Sequence, residues 1–103
     1  MHILFIGDII GRPGRDVVAA ELPKLKDALA LDFVIVNGEN LAGGFGITRA
    51  VANEMFSLGV DVITSGNHWL DQREILSFID HEDRVLRPRN NHPGTPGKGA
   101  GLM

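Results

Sequence analysis

Apolar and polar positions along the chain fall into two alternating patterns. HILFIG (2–7) is a continuous apolar run, the kind a parallel sheet buries on both faces, and predicts the first strand. A glycine-rich turn, GDIIGRPG (7–14), leads into a helix whose Val18, Leu22, Leu25 and Leu29 recur at helical spacing as one stripe. Pro23 interrupts that stripe and predicts a kink or a break into two shorter helices. DFVIVNG (32–38) is the second strand. The loop after it, ENLAGGFGI, ends at Thr48, which suits a helix N-cap. Val51, Met55 and Leu58 mark one face of the second helix, and Gly59 ends it. VDVITSG (60–66) is the third strand. A third helix is predicted from about Leu70 to Asp80, with Ile75, Phe78 and Ile79 turned inward.

The order β-α-β-α-β-α predicts an α/β fold, a mostly parallel sheet with flanking helices and right-handed crossovers. From Arg87 the composition changes: RPRNNHPGTPGKGAG is rich in proline, glycine and asparagine and reads as a loop over 87–100. The last residues, GLM, read as the start of another strand, so residues 1–103 are expected to form a partial domain lacking its C-terminal half.

Composition narrows the function. At 103 residues and 44% hydrophobic, the chain can bury one core. Ten basic against 13 acidic residues, net −3, provide no positive field for general nucleic-acid binding. With no cysteine there is no disulfide, no thiolate metal site and no cysteine nucleophile. ILFI is too short for a signal sequence or a membrane span, and a cytoplasmic location is expected.

In open parallel sheets, ligands bind beyond the carboxyl ends of the strands. All three predicted strands deliver polar groups there: Gly7-Asp8, then Asn37-Gly38-Glu39-Asn40, then Gly66-Asn67-His68. Taken singly, each has an ordinary explanation. Asp8 could cap or turn, Asn37 and Asn40 are common turn residues, and a loop histidine is usually just solvated. His2, His81 and His92 have no motif around them and read as structural. Three strand ends loaded alike are harder to dismiss. Carboxylate and amide oxygens with imidazole nitrogen suit hard or borderline metal ions, and a pair of such ions suits phosphoryl transfer. Glu39 has two oxygens with which to bridge, and His68 can donate a proton to a leaving oxygen. Trp69 reads as core or a wall of the cleft.

The blocks GDIIGRPGR (7–15), NGEN (37–40), GNHWLD (66–71) and RPRNNHPGTPGKG (87–99) closely resemble those of the YmdB-like metallophosphoesterases of the calcineurin-like superfamily. The resemblance runs in register over the whole chain. It implies the N-terminal half of an α/β/β/α sandwich with a two-metal centre, usually iron or manganese, acting on small phosphodiesters including 2′,3′-cyclic nucleotides. By position, Asp8, Glu39 and Asn40 would serve one metal, Glu39 and Asn67 the other, and His68 would be the proton donor. The Asn90 block corresponds to a loop near that family's active site. Ile10 stands where the wider superfamily has a histidine, and NGEN replaces its usual aspartate block; both fit the YmdB-like branch. Members are more than twice as long, and their second half brings further histidines and the other sheet. The resemblance therefore implies an incomplete shell here, an exposed apolar sheet face and a tendency to form homo-oligomers. A non-catalytic nucleotide-binding or regulatory α/β module, or an inert fragment, are the alternatives. Asp8 and the lack of a GxGxxG fingerprint weigh against the nucleotide module.

Overall fold

The computed structural model describes residues 1–44, 46–66, 72–88 and 95–100. Three strands, β1 (Ile3–Ile6), β2 (Phe33–Asn37) and β3 (Val62–Thr64), form a parallel sheet in the order β1-β2-β3. Ile3 pairs with Phe33, Ile35 with Val62, and Asn37 with Thr64. The connecting helices are α1 (Gly11–Leu29) and α2 (Arg49–Ser57). The α/β reading therefore holds.

A sheet wound in one direction by right-handed crossovers carries both helices on one face. Burial follows that rule. Val34, Val36 and Ile63 are fully buried in one cluster with Val18 and Leu22 of α1 and Val51, Ala52 and Met55 of α2. Successive residues of a strand face opposite ways, so Ile3 and Phe5 look away from the helices, and they are 56% and 58% exposed. Here the expectation of a first strand buried on both faces fails: among the described residues, nothing covers that side of β1.

α1 is not broken into two helices at Pro23. It begins within the glycine-rich turn and runs unbroken through Pro23. The proline removes one backbone hydrogen bond, but its ring lies on the exposed side while Val18 and Leu22 anchor the helix to the sheet. The predicted stripe is buried only in its first half. Leu25 and Leu29 are 37% and 49% exposed. Nineteen helical residues extend about 28 Å, whereas a strand of four or five spans only about 17 Å, so the helix outruns the sheet.

Thr48 caps α2 as expected, its hydroxyl accepting from the Val51 amide at 3.3 Å. Gly59, at φ 105°, follows the end of that helix. The third helix is instead two short 3-10 helices, Arg73–Ser77 and Ile79–His81. Their bonds step by three, from Gln72 to Ile75 to Phe78 to His81, and Gln72 provides no side-chain cap to begin an α-helix. Ile75, Phe78 and Ile79 are buried as predicted.

Candidate metal site at the strand ends

The exit of β1 is backbone-strained. Asp8 sits at φ 33°, a left-handed conformation that a non-glycine residue rarely adopts and that clusters at functional sites. The next amide, Ile9 N, donates to the Asn37 carbonyl at 3.4 Å, and Gly11 N donates to the Asn40 carbonyl at 3.0 Å. The first turn of α1 is thus tied to the loop leaving β2.

That loop is wound on its own backbone. Gly44 N also donates to Asn40 O (3.1 Å), Gly46 N to Glu39 O (2.6 Å), and Ala42 N to Gly46 O (2.9 Å). Gly43, Gly44 and Gly46 all have positive φ, which explains three glycines within four residues. With their carbonyls engaged, Glu39 and Asn40 are held by the main chain and their side chains project from a fixed base.

Three of the five predicted site residues lie among the described residues, and the fold brings them together. The Asn40 amide, through Nδ2, donates to Asp8 Oδ1 at 2.8 Å. This bond settles which end of the amide points where: Asn40 Oδ1 remains an oxygen donor for a cation. Gly38 N donates to Thr64 O at 2.8 Å, carrying β2's exit toward β3. The Glu39 carboxylate lies against the backbone of Gly66, so closely that a methyl group on Gly66 would overlap it. Gly66 is needed there for want of space, beyond any role in turning the chain. Asn67, His68 and Trp69 follow directly and lie outside the described residues, as do residues 89–94 of the Asn90 block.

These donors fit a hard or borderline cation: two carboxylates and an amide oxygen on adjacent strand exits, with Asp8 exposed and Glu39 and Asn40 half-buried. Among the described residues, no three histidine, cysteine, aspartate or glutamate side chains gather into a cluster that could hold an ion. One buried polar atom also awaits a partner at this rim. Asn37 Oδ1 accepts no hydrogen bond.

The structure adds a rim position that the sequence did not mark. Val85 bridges Ile63 in parallel, Ile63 N donates to Arg84 O at 2.7 Å, and Leu86 N donates to Ile63 O at 2.9 Å. The Ser65 hydroxyl donates to Leu86 O. Residues 84–86 thus run beside β3 as a fourth, strand-like segment, and Arg87 stands at its carboxyl end. Two consecutive apolar residues, Val85 and Leu86, were the only signal for it.

A model of the family described as "YmdB-like protein" matches residues 4–103. Over 99 residues the chain is 50% identical to a Bacillus subtilis protein named 2′,3′-cyclic-nucleotide 2′-phosphodiesterase, covering 96% of this chain and 38% of that one. A solved structure of a hypothetical protein from Thermus thermophilus superposes with TM-score 0.89 at 43% identity, over 96% of this chain and 38% of that one. A structure titled a novel phosphatase, from Mycoplasma pneumoniae, superposes with TM-score 0.85 at 32% identity, over 92% and 35%. The chain therefore spans well under half the length of these relatives.

Proposed function

Because the chain belongs to the YmdB-like protein family, we propose that it is the strand-end portion of a metal-dependent phosphodiesterase, with 2′,3′-cyclic nucleotides as the substrate class. The observation that carries this reading is the joined pair Asp8–Asn40 with the Glu39 carboxylate beside it against Gly66. The name of the Bacillus subtilis relative supports the choice of substrate.

In this reading Asp8, Glu39 and Asn40 hold one ion, and Glu39 with Asn67 holds a second, iron or manganese. When bound, such ions supply Lewis acidity at the phosphoryl oxygens and activate water as the nucleophile. The residues of the chain do the rest. The Asn40–Asp8 bond orients both donors before any ion arrives, which lowers the reorganisation needed on binding. His68 gives a proton to the departing ribose oxygen.

Hydrolysis of a chromogenic phosphodiester with added manganese by the chain joined to the remaining length of the Bacillus subtilis relative, read beside metal content after dialysis, tests this. Turnover abolished by chelator is expected, with His68→Ala cutting turnover while metal content stays near wild type. Metal loss in that variant would overturn the proton-donor role. Nucleotide binding that survives chelator, without hydrolysis, would make the chain a binding module instead.

A further inference from the structure

Arg87 occupies the rim by register. The fourth segment pairs with β3 through Val85–Ile63, which places Arg87 level with Ser65, one residue before Gly66. Neighbouring strands lie about 4.8 Å apart, so one step separates Arg87 from the exit of β3 and two from that of β2. A long side chain based there can reach over the strand ends.

Its bonding is unusual for a half-buried guanidinium. Nη1 donates to the carbonyl of its own neighbour, Pro88, at 2.8 Å. Nε is buried and donates to nothing. Among the described residues no carboxylate pairs with it. Arg15, the other arginine with a buried, idle Nε, differs in having Glu54 at 2.9 Å to neutralise it. The main chain holds the residue in place: Arg87 N donates to Lys98 O at 2.9 Å.

We infer that Arg87 grips the non-bridging oxygens of the substrate's phosphoryl group, as a binding and orienting residue at the same rim. The inference rests on the phosphodiesterase reading above. A guanidinium presents a planar fork that matches two phosphoryl oxygens, and an arginine with no carboxylate partner keeps its charge for that use. The carboxylates Asp8 and Glu39 repel an anion, so a fixed positive charge on the far side of the rim sets the phosphoryl group's orientation.

Inorganic phosphate serves as the probe, titrated by calorimetry into the manganese-loaded protein, with diester kinetics alongside. Arg87→Gln is expected to weaken phosphate binding and raise KM at least tenfold, leaving metal content and melting temperature near wild type. Arg87→Lys is expected to recover part of the phosphate affinity, because it restores the charge without the fork. Wild-type phosphate affinity in Arg87→Gln would overturn the inference. Should Arg87→Gln fail to fold, Arg87→Lys decides: weakened phosphate binding in a folded protein supports the grip, and unchanged binding refutes it. If the wild-type chain joined to the remaining length of the Bacillus subtilis relative hydrolyses no diester, the phosphodiesterase reading fails by itself, while the phosphate titration still tests the guanidinium.

Discussion

Gly66 and Asp8 each shape the rim through a single backbone position. A β-carbon at Gly66 would meet the Glu39 carboxyl carbon at 2.6 Å, so Gly66→Ala must push that carboxylate away. Overpacking of this kind costs roughly 1–3 kcal/mol, but Glu39 is a half-buried side chain that can swing, so the lower end is expected. The larger effect falls on metal retention after dialysis, expected to drop at least tenfold. Retention of the full complement would mean that the Glu39 carboxylate is not a ligand. Asp8 makes the converse test. Its backbone at φ 33° favours glycine, so Asp8→Gly relieves strain while deleting the carboxylate. Thermal unfolding is expected to change by no more than about 1 kcal/mol, with metal lost; a larger destabilisation would make Asp8 a structural residue. Both positions were legible in the sequence, because a glycine followed by a carboxylate or amide at a strand end is visible without coordinates. Arg87 was not. Its rank depends on a two-residue segment pairing with β3, a contact between residues 22 apart that leaves no periodic trace.

Among the elements, residues 97 and 98 are held by two acids. Gly97 N donates to Asp80 Oδ1 at 2.6 Å, and the Lys98 ammonium pairs with Asp83. Hydrogen bonding and charge attraction from Lys98 hold the Asp83 carboxyl below its ordinary value of 3.8. Because folding lowers this pKa, the contribution is complete above 3.8 and disappears as pH falls through the lower folded value. Both partners are exposed, so the release is local and weak. The Lys98 amide resonance in an NMR pH titration should shift in that acid window. The shift should vanish in Asp83→Asn; a titration that persists there would assign it to another acid. Thr48→Ala should cost about 1 kcal/mol in denaturant unfolding by removing the α2 cap. The sequence showed that cap and the buried Ile75, Phe78 and Ile79, since capping and burial are set by local residue type. It did not show that the segment would wind as 3-10 helices, nor that α1 would pass unbroken through Pro23. Those outcomes depend on what each segment packs against.

At the scale of the molecule, the sheet is one-sided. Ile3 and Phe5 are more than half exposed on the face away from the helices, and their register partners Phe33 and Ile35 are only partly covered. An apolar run in sequence does not say which face will find a partner; the exposed face followed only from the resemblance to a two-sheet family. Among the described residues no helix is long and apolar enough to cross a membrane, and a contiguous exposed apolar patch marks a contact surface. The 103-residue chain alone is therefore expected to self-associate in sedimentation experiments as its concentration rises. Ile3→Lys with Phe5→Lys should return it to a monomer, because two charges on one sheet face repel their copies. The Bacillus subtilis relative, of which the chain covers 38%, offers the complementary experiment. Joined to the remaining length of that protein, wild-type residues 1–103 should no longer associate through this face, and the double lysine variant should then destabilise the fusion. Lysines tolerated without loss of stability there would mean that the face stays open in the longer protein. A wild-type chain that remains monomeric at all concentrations would show that the exposed sheet face is too small to drive association.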